Sequence, residues 1–215
     1  MNKVISKEAA LDKIKDGQTL MIGGFAAVGT PASIIAGIVE RKIGNLTIIA
    51  NDTGFPDKGI GLLVVAKLVK KMHCSHIGTN PETIRQFNAG ELEIEFNPQG
   101  TLAERMRAGG AGIAGFYTPT GVGTVIADGK ETKDFNGKTY LLETALHAEV
   151  SIVKAHKADK FGNLVFRRTA KNFNPLIATA GDIVIAEVEE IVEIGDIDPD
   201  EVMLPGIYVD YIVKA

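Results

Sequence analysis

The sequence predicts an α/β protein of three layers, with a mostly parallel sheet covered by helices on both faces. Three observations carry this prediction. Short apolar runs alternate with helix-period segments, several runs lack a polar face, and a glycine-rich turn joins the first run to the helix after it.

Taken in order, a helix candidate near residues 6–15 precedes "QTLMI" at 18–22, which reads as a buried strand. "PASIIAGIVERK" at 31–42 reads as a helix with Ile34, Ile35, Ile38 and Val39 on one face. Further strands are expected at "LTIIA" (46–50), "VKKMHCSHI" (69–77), "LEIEF" (92–96), "SIVKA" (151–155) and "IVIAEV" (183–188). Helix candidates lie near 59–67, 81–89, 100–108 and 170–180. Residues 109–148 break the alternation: they open on "GGAGIAG" and contain "KDFNGKTYLLE", whose Asn136-Gly137 pair suits a type I′ hairpin. This region is expected to be a small antiparallel insertion. The acidic run "EVEEIVEIGDIDPDE" (187–201) reads as a solvated face and "GIYVDYIVKA" (206–215) as a closing strand. No repeat or linker divides the chain, so one domain over 1–215 is expected.

A formal charge of −4 without any concentrated Lys/Arg cluster argues against nucleic acid as a partner; "VKK" at 69–71 and "FRR" at 166–168 are too short. The first seventeen residues, "MNKVISKEAALDKIKDG", carry charge throughout, which predicts neither a signal peptide nor a membrane span. A single cysteine, Cys74, rules out an internal disulfide and fits a reducing cytoplasm.

"HCSH" at 73–76 invites a metal reading, but on a strand His73 and His76 would face opposite sides, so no metal site is expected. Cys74 lacks a nucleophile motif and reads as a small buried hydrophobe. His147 and His156 carry no triad signature, and Glu82 in "TNPET" fits the first turn of a helix.

The turn "MIGGFAAVGTP" (21–31) carries the functional question. Gly23, Gly24 and Gly29 can supply positive φ and close packing, with Thr30 as N-cap and Pro31 at the first helical position. The same facts allow a second reading, in which backbone N–H groups at the helix start meet an anion or a carbonyl oxygen. Gly24 to Thr30 runs G-x-x-x-x-G-T, but the lysine and magnesium ligand of a P-loop are both missing. The dinucleotide pattern G-x-G-x-x-G fails too, because Gly23 and Gly24 are adjacent.

"DGQTLMIGGFAAVGTP" (16–31) resembles the first signature of the family I CoA-transferases. The resemblance, to the α subunit of 3-oxoacid and acetate (butyrate)–acetoacetate CoA-transferases, extends over "IANDTG", "SHIGTNPET", "NPQGTLAERMRAGGAGIAGFYTPTGVGT", "KADKFGNLVFRRTAKNFNP" and "LPGIYVDYIV". It implies the NagB/RpiA/CoA-transferase-like fold and a ping-pong exchange of CoA between acetoacetyl-CoA and acetate or butyrate, in ketone-body and short-chain fatty acid metabolism. The family's nucleophile is a glutamate in a Ser-Glu-Asn-Gly-like motif of a β subunit. This chain has no such motif, so the resemblance implies no catalytic nucleophile here, an α2β2 assembly and a cytoplasmic setting.

By the same resemblance, Gly24, Phe25, Ala26, Ala27, Val28, Gly29 and Thr30 form a CoA-binding segment, while Asn51 and Gln99 line the site of the reacting acyl group. Coenzyme A and its esters would be substrates, with no tightly bound cofactor. Asp52 stands where the mitochondrial succinyl-using relatives carry a second asparagine, a departure that counts against succinate as the donor acid. Local readings remain for each: Asn51 as an Asx-turn residue, Gln99 as a helix cap, and "AGGAGIAG" as a close-packing segment. The rival function is a sensor of CoA esters or sugar phosphates on the same fold; a sugar-phosphate isomerase lacks a visible acid–base pair.

Overall fold

The computed structural model describes residues 2–215. A short helix, α1 (Lys7–Leu11), leads into four strands, β1 (Thr19–Ile22), β2 (Leu46–Ile49), β3 (Val69–Cys74) and β4 (Glu93–Phe96), separated by helices α2 (Ala32–Arg41), α3 (Gly61–Val65) and α4 (Pro81–Asn88). Helix α5 (Gln99–Gly110) then enters a separate sheet of β5 (Gly115–Thr118), β6 (Thr132–Phe135) and β7 (Lys138–Thr144). The chain returns through β8 (Ala148–Asp159), the two-residue β9 (Leu164–Val165), α6 (Asn174–Thr179), β10 (Gly181–Val192) and β11 (Tyr211–Lys214).

The main sheet runs β11-β10-β8-β1-β2-β3-β4, every neighbour parallel, with β9 antiparallel to β8. The chain therefore builds outward from β1 in one direction and resumes on its other side. Ligands of open α/β sheets bind at such a reversal, beyond the carboxyl ends of the strands.

Alternation along these strands feeds two cores. Leu20, Ile22 and Ile48 join Ile34, Ile35 and Ile38 of α2 and Leu63 and Val64 of α3 under one face. Met21 and Ile49 point the other way, onto Leu102 and Met106 of α5 and Ile177 of α6. This is the expected three-layer arrangement, and helices on both faces explain why β1 has no polar side.

The antiparallel insertion is present as β5-β7-β6, and its Asn136 (φ 51°) and Gly137 (φ 75°) both take the left-handed backbone of a type I′ turn. "AGGAGIAG" packs as expected, but at a helix end rather than in a loop: a Cβ on Gly109 would lie 2.0 Å from the Leu146 carbonyl oxygen.

Four local expectations are corrected. Helix α2 begins one residue late, with Pro31 as N-cap and no side-chain cap; Thr30 does not cap it. Helix α5 begins one residue early, at Gln99. The helix expected at 170–180 is a 3-10 turn (Arg168–Lys171) and α6, divided where Asn172 leaves helical backbone ahead of Asn174 and Pro175. The acidic run is not all solvated, since β10 continues to Val192 and Glu187 is buried. Parallel pairing sets Glu187 beside Lys154 and Glu190 beside Lys157, and Glu189 meets His156 Nδ1 at 3.0 Å. The acidic residues of this strand answer a basic strand β8.

Candidate functional site

The turn after β1 is narrower than its three glycines suggest. Gly24 (φ 131°) and Gly29 (φ 72°) do take positive φ, whereas Gly23 is small for another reason: a Cβ there would collide with the Asn174 side chain. Between them Phe25 and Val28 exchange backbone hydrogen bonds of 3.0 and 2.8 Å around Ala26 (φ 45°) and Ala27 (φ 69°). Two successive alanines in the left-handed region are strained, at a cost of about 1 kcal/mol or more each. Neighbours hold the turn in place: Asn174 Nδ2 donates to the Gly29 carbonyl at 3.0 Å, and Asn172 Nδ2 to that of Val28 at 2.9 Å.

One N–H of the helix N-terminus beyond the turn, that of Ile34, is met from within the chain. Glu187 Oε2 accepts the Ile34 N–H at 2.9 Å, and Glu187 Oε1 pairs with Lys154 Nζ at 3.3 Å. The anion expected at the start of α2 is thus the chain's own buried carboxylate, brought from a residue 153 positions away.

Asn51 and Asp52 leave the carboxyl end of β2, Ser75 and His76 leave that of β3, and Gln99 opens α5. These groups converge with Phe25 and Ala26 on one cleft of about 440 Å³. Gln99 Nε2 donates to Asn51 Oδ1 at 2.8 Å, and Ser75 Oγ lies 2.9 Å from the same oxygen. Asn51 Nδ2 donates to Asp52 Oδ2 at 2.7 Å, an oxygen that also accepts the Ala26 N–H at 2.8 Å. Asp52 Oδ1 accepts the Gly54 N–H at 2.7 Å. With both oxygens engaged, the Asp52 carboxylate is a scaffold for the turn rather than a free nucleophile. Two neutral amides beside it offer N–H donors to an acyl oxygen.

The structure thus joins Asn51 and Gln99, 48 residues apart, with Phe25 and Ala26. Val28 sits on the adjoining surface with Thr169 and Asn172. Gly24 and Thr30 lie beneath, buried and packed on one another, Ala27 lies against Gly59, and Gly29 is pressed on Ala170. Ser75, His76 and Thr79 also line the cleft and escape a strand-period reading, because β3 ends at Cys74 and side-to-side alternation stops there. Their position at a strand's carboxyl end, inside "SHIGTN", is the signal that could have found them.

The remaining reactive side chains are accounted for locally. Burial pushes the Cys74 thiol up to about 12, which leaves it an inert core residue. His73 turns to Glu95 on β4, 3.3 Å away, while His76 faces the cleft, so the two histidines do point apart. Among the described residues no group of three or more His, Cys, Asp or Glu could hold a metal, and no helix is long and apolar enough to cross a membrane.

The family model described as coenzyme A transferase matches residues 4–215. A succinyl-CoA:3-ketoacid coenzyme A transferase subunit of Xanthomonas campestris is 57% identical over 97% of this chain and 86% of that protein. The alpha subunit of the acetate CoA-transferase of Escherichia coli is 48% identical over 99% of this chain and 97% of its own length. Among solved structures, an acyl-CoA transferase of Escherichia coli O157:H7, in a thioester complex with CoA, superposes with a TM-score of 0.89 at 24% identity. All of this chain is covered but 47% of that one, and the likeness is one of fold.

Proposed function

The chain belongs to the coenzyme A transferase family, and from that premise we propose that it is the α subunit of an enzyme exchanging CoA between acetoacetyl-CoA and a monocarboxylic acid, acetate or butyrate. A β subunit supplies the glutamate nucleophile, the assembly is α2β2 and it works in the cytoplasm. Coenzyme A esters are substrates, and no resident cofactor takes part.

The chemistry needs neither ATP nor a net proton. The partner's glutamate carboxylate attacks the acyl-CoA carbonyl and expels CoA as its thiolate, leaving an acyl-glutamyl anhydride. The thiolate then attacks the glutamyl carbonyl and expels the first acid as its carboxylate. The second acid retraces these steps in reverse. Each tetrahedral intermediate carries an oxyanion, and this chain's part is to meet it or the acyl carbonyl with amide N–H groups of Gln99 and Asn51. The rim of the turn, Phe25 to Val28, supplies the surface along which the CoA chain approaches.

The observation that carries the choice of acid is the Asp52 carboxylate lining the cleft. A dicarboxylate would bring a second negative charge towards it. At a separation of about 6 Å and an effective dielectric of about 20, that repulsion is about 3 kcal/mol, roughly a hundredfold in binding.

Loss of acetoacetyl-CoA enolate absorbance, with acetate, butyrate or succinate as acceptor, tests the proposal on this chain alone and on its complex with the β subunit. Activity only in the complex, with borohydride trapping the thioester on the partner and monocarboxylates preferred, is the expected result. Succinate as the preferred acceptor would overturn the assignment of the acid. An inactive complex, with this chain binding CoA alone, would favour the sensor.

A further inference from the structure

His76 stands apart from the other polar groups of the cleft. Gln99, Asn51 and Asp52 are bound to one another, Ser75 Oγ is close to Asn51, and Thr79 Oγ1 donates to the Gly54 carbonyl at 2.7 Å. The imidazole of His76 makes no hydrogen bond or ion pair with any described residue, although it lines the same cavity. Asp52 is the other titratable group there, on β2's end of the cleft; neither the turn after β1 nor the start of α5 adds a charge.

The neighbouring chain leaves room for this ring. A Cβ built on Gly78 would come within 2.8 Å of His76 Cε1 and 3.0 Å of Nε2, and Gly78 does not have the positive φ that would otherwise call for glycine. The backbone of His76 is tied to that of Asp52 by a parallel bridge, which anchors the ring's base at the carboxyl edge of the sheet.

An acceptor acid enters as a carboxylate and encounters Asp52, a like charge. Of the cleft's side chains, His76 is the one able to set a positive charge, or an uncommitted ring N–H, against the incoming oxygens. We infer that His76 is the carboxylate-recognition residue of this site: its ring N–H donates to the carboxylate of the acceptor acid and orients it for attack on the glutamyl thioester. This inference rests on the transferase reading. It assigns His76 to the acid and leaves the CoA ester to other groups.

The test uses the αβ complex in two assays. In steady-state transfer, His76→Phe keeps the ring's bulk and removes its donors, so KM for acetate or butyrate should rise about tenfold or more, with KM for acetoacetyl-CoA unchanged within about twofold. His76→Gln restores a donor and should recover most of the loss. An equal rise in both KM values, or a Gln variant no better than Phe, would overturn the inference. In the second assay the imidazole resonance of His76, identified by its loss in His76→Gln, is followed by NMR as butyrate is added. It should shift with saturation. If no acid is turned over, the transferase reading itself falls, and the NMR titration then decides alone: an unmoved resonance defeats the assignment.

Discussion

The Asp52 carboxylate accepts the backbone N–H of Ala26 at 2.8 Å and so ties the end of β2 to the strained turn after β1. That acceptor is one of the contacts holding the left-handed backbone of Ala26 and Ala27 in place. Asp52→Ala should lower stability by about 1–3 kcal/mol in urea denaturation, the cost of stranding buried donors. Asp52→Asn keeps an acceptor oxygen and should cost less. It also removes the negative charge, so the succinate-to-acetate ratio of kcat/KM should rise at least tenfold. An unchanged ratio would show that Asp52 does not select the acid.

Gln99 holds its amide against Asn51 at 2.8 Å, and in the proposed transferase that amide meets the reacting acyl group. Gln99→Ala should lower kcat of the complex by about 100-fold, the usual effect of losing one donor to an oxyanion, while affinity for CoA stays within about threefold. Stopped-flow transfer and CoA binding by calorimetry separate the two. A matching loss of CoA affinity would make Gln99 a CoA ligand instead.

The parts of this site that are legible in the sequence are those with local signals. Apolar runs and glycines mark β1 and its turn, and alternation of strands with helices marks the sheet. Asn51 and Gln99 become visible only through family resemblance, because a lone amide in a loop looks like a turn former. Thr30-Pro31 is a good local capping pattern and so misplaces the start of α2, where Pro31 is the N-cap and the first-turn N–H of Ile34 is met by the distant Glu187. No window of neighbouring residues contains that partner. His76 is hidden by extending the strand period two residues past Cys74, where the chain has already left the sheet.

Glu187 links α2 to β8 through Ile34 and Lys154, both at buried or nearly buried positions. Glu187→Ala should therefore cost about 3–5 kcal/mol in urea denaturation, since it strands a lysine of low exposure and a helix N–H together. Glu187→Gln retains an acceptor for Ile34 and should recover part of this. A cost below about 1 kcal/mol for Glu187→Ala would mean that water or a neighbouring group replaces the carboxylate.

Glu95 should govern part of the acid limb of stability. His73 beside it and the Arg105 guanidinium, which donates to Glu95 Oε1 at 2.7 Å, hold its carboxyl well below the usual value of 4.5. A carboxyl more acidic in the folded than in the unfolded chain contributes stability above the unfolded value and loses it as pH falls toward the folded one. The contribution of Glu95 should therefore be intact at neutral pH and fade below about pH 4.5. Glu82 and Glu91, held down to about 2 by Arg85, slope in the same direction, so the diagnostic quantity is the difference between wild type and Glu95→Gln. That difference should be largest near neutrality and shrink on acidification to about pH 3. Urea midpoints measured at half-unit steps of pH would reveal it, and a constant difference across the range would show that the charge of Glu95 is not what stabilises this edge of the sheet.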